Sequence, residues 1–257
     1  MEKNDDREAG REGLADFGYE RIPAEEKSSR VKAVFDSVAA RYDLMNDAMS
    51  LGLHRLWKRF AVAKSGLRSG DQALDVAAGS GDLSLGLARR VGLRGRVIVT
   101  DVNQRMLGLG RERLTNAGLA GNVHYVQADA ESLPFKSASF HCVSVGFGLR
   151  NMTDKRAALA SMFRVLRPGG RLLVLEFSKP RLRALERAYD VYSFQVLPRL
   201  GQLLAGDSAS YRYLAESIRR HPDQEALLGL MAEEGFELCQ YYNLSGGIVA
   251  LHVGFRL

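Results

Sequence analysis

The sequence predicts a doubly wound α/β domain on a seven-stranded, mostly parallel sheet that closes with an antiparallel C-terminal hairpin. Three observations predict it. From Gln72 onward, short apolar runs alternate with helical stretches, the pattern of βαβ units with right-handed crossovers. Several runs, such as "FHCVSVGFG" and "RLLVLEFS", are nearly all apolar, as expected of strands buried on both faces of a parallel sheet. The last two, "FELCQYYNL" and "GIVALHVGFRL", are joined only by "SGG", which leaves room for a hairpin but not for a crossover.

Taken in order, residues 1–30 mix acids and bases at high density with few apolar side chains, which predicts a disordered charged tail. They have neither the apolar stretch of a signal sequence nor the acid-poor composition of a transit peptide. A single domain is predicted over 31–257. It opens with a helical lid over 31–68, where Val34, Val38, Tyr42 and Met45 recur at helical spacing and Leu53, Leu56, Trp57 and Phe60 repeat the pattern. The strands "QALDVAA", "RVIVTDV" and "NVHYVQAD" follow, separated by helices such as "DLSLGLARRV" and "NQRMLGLGRERLTNAG". After the fifth strand comes an insertion, 182–220, carrying "LERAYDVYSFQVLPRLGQLLAG". It reads either as a helix packed on the sheet or as a lid or membrane-contacting segment.

Composition bounds the function. The chain has 257 residues, 46% hydrophobic and 26% charged, ordinary values for a globular protein with a full-sized core. Cys142 and Cys239 sit in apolar runs and suggest core packing in a reducing compartment. A net charge of +6 suits solubility, nucleic acid or an anionic membrane equally well. No apolar stretch is long enough to span a bilayer. The five histidines show no ligand spacing, so no metal is expected. A cytoplasmic location is expected.

In an open α/β sheet, ligands bind beyond the carboxyl ends of the strands at the switch point. "LDVAAGSGDLS" puts Gly79-Ser80-Gly81 between the first strand of the alternating set and a helix, where glycines admit a ligand close to backbone and the helix offers free N–H groups. Ser84 stands where a third glycine would complete a dinucleotide fingerprint, which disfavours an NAD-dependent oxidoreductase. Asp101, about twenty residues on, closes the next strand and can accept both hydroxyls of a ribose. Asp129 with Ala130 closes the third and suits an adenine amine. Each acid alone could simply form a turn; together they favour S-adenosylmethionine and the Rossmann-like class I methyltransferase fold. The Pro-Gly-Gly of "VLRPGGRLLVLE" makes the helix-to-strand turn that recurs in that fold.

From Val31 to the C-terminus the chain also resembles the ubiquinone/menaquinone biosynthesis C-methyltransferase family (UbiE/MenG type). The resemblance rests on "VFDSVAARYDLMNDAMSLGLHRLWKR", "DVAAGSGD", "FGLRNMTDKRAAL", "RVLRPGGRLLVLEFSKP", "YRYLAESIRRHPDQEAL" and "NLSGGIVALHVGF". It implies cofactor contacts at Ser80, Asp101, Asp129 and Ala130. Position 129 is often Asn in that family, and position 146 is commonly Ser in one branch. Gly146 therefore offers the cofactor only backbone. The resemblance further implies methyl transfer to a ring carbon of a reduced, prenylated quinone.

That chemistry needs an ionised ring hydroxyl beside the reacting carbon. A phenol ionises near pH ~10, so about three pH units, roughly 4 kcal/mol, must come from the site. Arg150, in "GFGLRN", is expected to hold the phenolate, with Asn151 orienting the ring or a water; it could instead pair with an acid or cap a helix. Arginine is a poor base, which leaves water, Asp43 or His54 for the proton. Tyr42 is expected either over the cofactor's methionine end or in the core. An RNA or protein methyltransferase is disfavoured because "GFGLRN" stands where amine-methylating relatives carry Asn/Asp-Pro-Pro-aromatic, and no basic stripe suggests nucleic acid. A non-catalytic assembly protein remains open. A prenyl tail needs an apolar path, expected along the insertion and the N-terminal helices, with peripheral contact at the inner face of a membrane. A homodimer or a place in a quinone-synthesis complex is left open.

Overall fold

The structure is a computed structural model and describes residues 13–257 apart from Gly206. Its centre is a seven-stranded sheet in the order β5-β4-β3-β6-β7-β9-β8. β3 (Gln72–Val76), β4 (Arg96–Asp101), β5 (Val123–Gln127), β6 (Phe140–Gly146) and β7 (Leu166–Phe177) run parallel. β8 (Glu237–Leu244) and β9 (Val249–Arg256) form the predicted hairpin, turned by Ser245–Gly247, and β9 lies antiparallel to β7. Alternate side chains along a strand enter opposite layers. Ala73 packs with Leu87 and Leu114 of α4 (Asp82–Val91) and α5 (Gln104–Asn116), while Leu74 packs with Leu159 and Leu227 of α6 (Lys155–Val165) and α10 (Gln224–Glu233). The chain leaves β3 toward β4 and β5, then returns to lay β6 on the other side of β3. The switch point thus lies between β3 and β6.

One departure concerns the N-terminus. Residues 14–23, read as disordered, form a hairpin of β1 (Leu14–Phe17) and β2 (Glu20–Pro23), and α1 (Ala24–Val38) begins ahead of Val31. The reason is tertiary. Phe17 stacks on Tyr213 at 4.2 Å, Ile22 is buried, and the Tyr19 N–H donates to Glu216 Oε2 at 3.1 Å. Residues 1–12, the rest of that tail, lie outside the described residues.

The remaining helices cover the strand ends. α1 gives way at Ala39–Arg41 to a single 3₁₀ turn, and α2 (Tyr42–Ser50) and α3 (His54–Lys64) follow. The insertion folds as α7 (Arg183–Val191), a π-helical turn at Tyr192–Val196, α8 (Leu197–Ala205) and α9 (Ser208–Arg220). The Tyr192 hydroxyl donates to the Ala48 carbonyl, which fastens the insertion to α2.

Candidate active site

A cleft of about 890 Å³, its open mouth included, lies outside the carboxyl ends of β3, β4 and β6. Its size suits a nucleoside-sized ligand. α1 covers one side with Val31 and Phe35. Two non-glycine residues in its wall, Ala77 and Phe147, hold φ of +49° and +59°. Left-handed backbone in side-chain-bearing residues is strained and gathers at working sites. Next to Phe147, Gly148 is required, since a Cβ there would stand 2.7 Å from Ala77 Cβ.

The cleft brings together seven of the twelve predicted site residues: Tyr42, Gly79, Asp101, Asp129, Ala130, Gly146 and Asn151. Asp101 is the best organised. Its carboxylate accepts from the Gly79 N–H at 2.8 Å and from the Asn103 N–H at 2.8 Å, one oxygen each, so each oxygen keeps a lone pair for a ligand. Burial pushes its carboxyl above the ordinary range, while the Asn103, Gly79 and Val102 N–H groups pull it back. Asp129 accepts from the Glu131 N–H at 2.9 Å and caps the short turn that presents Ala130. Gly79, at φ +57°, passes so close to Tyr42 that an added Cβ would lie 3.3 Å from its hydroxyl. Burial pushes that hydroxyl up to about 12, with Arg150 and Asn46 pulling it down.

The other five lie outside the cleft. The Ser80 hydroxyl accepts from Arg113 at 3.1 Å on the far side of the loop. Gly81 adopts φ +78° as the N-cap of α4, where a Cβ would meet Leu114 at 2.5 Å. Asp43 is 53% exposed and pairs with Arg113, which also holds Asp82. His54 is buried against Asp47, 3.0 Å from Nε2; burial and Lys58 lower its pKa below the usual histidine value. Neither Asp43 nor His54, the two side chains considered as bases, lines this cleft. Arg150 takes the other arrangement its sequence position allowed, pairing with an acid. Its guanidinium donates to Glu176 at 2.7 Å and to the Phe147 carbonyl, and the pair is almost wholly buried. A free fixed cation is therefore replaced by an ion pair of near-zero net charge.

Asp82 explains how the lid is fixed. It receives Lys58 of α3 at 2.7 Å and Arg113 of α5. Burial opposes its ionisation, but the two cations outweigh that and hold its carboxyl below the ordinary value. Sequence reasoning missed Asn103, which lines the cleft and caps α5 while Asp36 of α1 accepts from its Nδ2 at 2.9 Å. The signal was present in "VTDVNQ", an Asn just ahead of a helical run. Met106, also in the wall, carried no such signal.

A family model described as the ubiE/COQ5 methyltransferase family matches residues 24–256. The chain belongs to that family. Among curated relatives of this ubiE/COQ5 methyltransferase, "Ubiquinone/menaquinone biosynthesis C-methyltransferase UbiE" of Marinomonas sp. is 59% identical over 94% of this chain and 96% of its own length. The Yersinia pestis protein of the same name is 60% identical over 93% and 96%. Among solved structures, a SAM-dependent methyltransferase from Aquifex aeolicus superposes with a TM-score of 0.59 at 16% identity, over 78% of this chain and 89% of its own. Haemonchus contortus phosphoethanolamine N-methyltransferase 2, in complex with S-adenosyl-L-methionine, superposes with a TM-score of 0.53 at 20% identity, over 73% and 38%. Those two show the class I methyltransferase fold.

Proposed function

We propose that this chain transfers the methyl of S-adenosylmethionine to a ring carbon of a prenylated quinol in quinone biosynthesis. The observation that carries this is its near-full-length identity to the UbiE relatives. S-adenosylmethionine is the cofactor, and the donor set fits it: Asp101 would offer two lone pairs to ribose hydroxyls, Asp129 and the Ala130 backbone would receive an adenine, and Gly79 and Gly146 leave room for backbone approach. When bound, it supplies an electrophilic methyl on sulfur.

The protein's task is to orient the quinol and favour its ionised hydroxyl. Tyr213 donates to Asn151 Oδ1 at 3.1 Å, so the amide's Nδ2 is its free end, a donor in the cleft wall. With Arg150 neutralised by Glu176, neutral donors near the cleft are left to stabilise a phenolate. The proton leaves to water at the open mouth. Strained Phe147 and half-buried Tyr42 exclude water deeper in.

The substrate is a demethylmenaquinol, a 2-polyprenyl-6-methoxy-1,4-benzoquinol, or both; the unbroken "LEFSKP" favours an enzyme that takes both rings. No helix among the described residues is long and apolar enough to cross a membrane. A peripheral contact at the cytoplasmic face is the reading for the prenyl tail. Leu51 and Leu56 beside α2 and α3 are exposed, as are Leu182 and Val191 beside α7, and Arg55, Arg59, Arg183 and Arg187 flank them. Mass spectrometry of product from purified protein, cofactor and each reduced quinol tests the function. One added methyl on a ring carbon is expected; no product from either quinol, with cofactor still bound, would return the RNA, protein or assembly-factor readings.

A further inference from the structure

Beside the cleft lies a second hollow of about 1220 Å³, its open mouth included, between α2 and α5. Gly79 lines the cleft and Ser80 the outer hollow, while Tyr42 lines both. The glycine loop and the Tyr42 side chain thus form a shared wall.

α5 supports that wall residue by residue. Gly110, Arg113 and Leu114 recur at helical spacing and share one face. A Cβ on Gly110 would lie 3.2 Å from the Gly79 carbonyl oxygen, and one on Gly81 would meet Leu114 at 2.5 Å. Between those two close approaches, Arg113 donates to the Ser80 hydroxyl at 3.1 Å. The same terminal nitrogen donates to Asp82 at the start of α4, and the other donates to Asp43 in the first turn of α2. One cation therefore ties the glycine loop, the helix after it and the lid. The Asp43 arm bears on the cleft because Asp43 directly follows Tyr42, whose hydroxyl stands over Gly79.

We propose that Arg113 is a positioning residue for the cofactor: through Ser80 it holds the glycine loop in shape, and through Asp43 it keeps Tyr42 closed over bound S-adenosylmethionine. Breaking the Asp43 arm lets the first turn of α2 swing into the outer hollow, which joins that hollow to the cleft and opens a path for the cofactor to leave. The inference rests on the placing of the cofactor in this cleft and is independent of which acceptor is methylated. The Asp43 arm is half exposed, so salt screens it.

The test uses the full-length protein with Arg113→Met, Arg113→Lys and Asp43→Asn. Lys58 still pairs with Asp82 in each of them, so that carboxylate is never left without a cation. Arg111→Met is the control, an arginine on the same helix that lies over the Tyr125 ring at 5.0 Å instead. Two quantities are read: the release rate of S-adenosylhomocysteine by stopped-flow displacement, and amide exchange over residues 42–50 without ligand. Arg113→Met is expected to release the nucleoside about tenfold faster and Asp43→Asn about threefold faster, the scale of a charge-assisted hydrogen bond lost with a screened ion pair and of that pair alone. Wild-type release should quicken as salt rises from about 50 to about 500 mM, while Arg113→Met release stays level. Arg113→Lys, which keeps the charge and three rotatable donors, should restore most of the slow release. Exchange over 42–50 should quicken in Arg113→Met and Asp43→Asn, with Arg111→Met silent. Release within about twofold of wild type in both variants, below the scale of the lost contacts, or an equal change in Arg111→Met, would overturn the role of Arg113. Faster release with exchange over 42–50 unchanged would overturn the lid arm. Wild-type protein that fails to bind S-adenosylhomocysteine would overturn the cofactor reading itself.

Discussion

At the strand ends, Asp101 has both oxygens already engaged by Gly79 and Asn103, and Asp129 caps its own turn; across the cleft, Asn151 has only its Oδ1 engaged, by Tyr213 of the insertion, and keeps its Nδ2 unspent. The first half is preorganised by backbone and changes little when a ligand arrives. The second half is incomplete until something fills it. The contrast teaches that one cleft can take its rigidity from the sheet and its selectivity from an insertion.

The largest effect should come from the ion pair under the boundary between the halves. Glu176→Ala leaves Arg150 buried and uncompensated, and breaking such a pair costs about 3–5 kcal/mol. Thermal melts should fall by about 10 °C. A fall under 2 °C, on the order of a surface substitution, would mean that Arg150 is not held as the structure shows and is free to act as the cation once expected.

Asp75 probes the floor of the sheet half. It is fully buried and accepts from Ser84 and Ser144, and burial raises its carboxyl to about 6 from 3.8. The folded protein then holds a proton that the unfolded chain has released, so stability falls as pH rises from about 4 through 6. The loss should approach about 3 kcal/mol relative to Asp75→Asn. Urea titrations at pH 4 and pH 7 measure it; parallel curves for the two proteins would sink the assignment.

Next comes the cofactor contact. Asp101→Ala should weaken S-adenosylhomocysteine binding about a hundredfold in calorimetry, as expected for the loss of charge-assisted hydrogen bonds to a ribose. The smallest effects sharpen the comparison from outside the cleft. Asp43→Ala and His54→Asn should each change kcat by less than about tenfold, because neither side chain lines it, whereas a true general base would cost about 10² to 10⁴.

The sheet half was legible in the sequence because its signals are local. Apolar runs, the glycines after "LDVAA" and an acid at the end of each following strand are all read within a few residues. The covering helices were legible as helices too, but what holds them and which side chains they turn inward was not, because those determinants join distant segments. The hairpin at 14–23 has strands too short for periodicity and is anchored by Tyr213 and Glu216 near the other end of the chain. Arg150 and Glu176 stand 26 residues apart and meet only because β6 and β7 are neighbours. Asp43 and His54 sit on a helical segment that reads as close to the site, yet their partners Arg113 and Asp47 turn them away from it. Helical periodicity places residues on a face; it does not say which face meets the ligand.

The division of the cleft is tested most directly by measuring two affinities in three proteins. S-adenosylhomocysteine and oxidised demethylmenaquinone, each with the other saturating, would be titrated into wild type, Asp101→Asn and Asn151→Ala. The account predicts that Asp101→Asn loses affinity for the nucleoside alone and Asn151→Ala for the quinone alone. Losses that fall equally on both ligands, or in the reverse pairing, would contradict it.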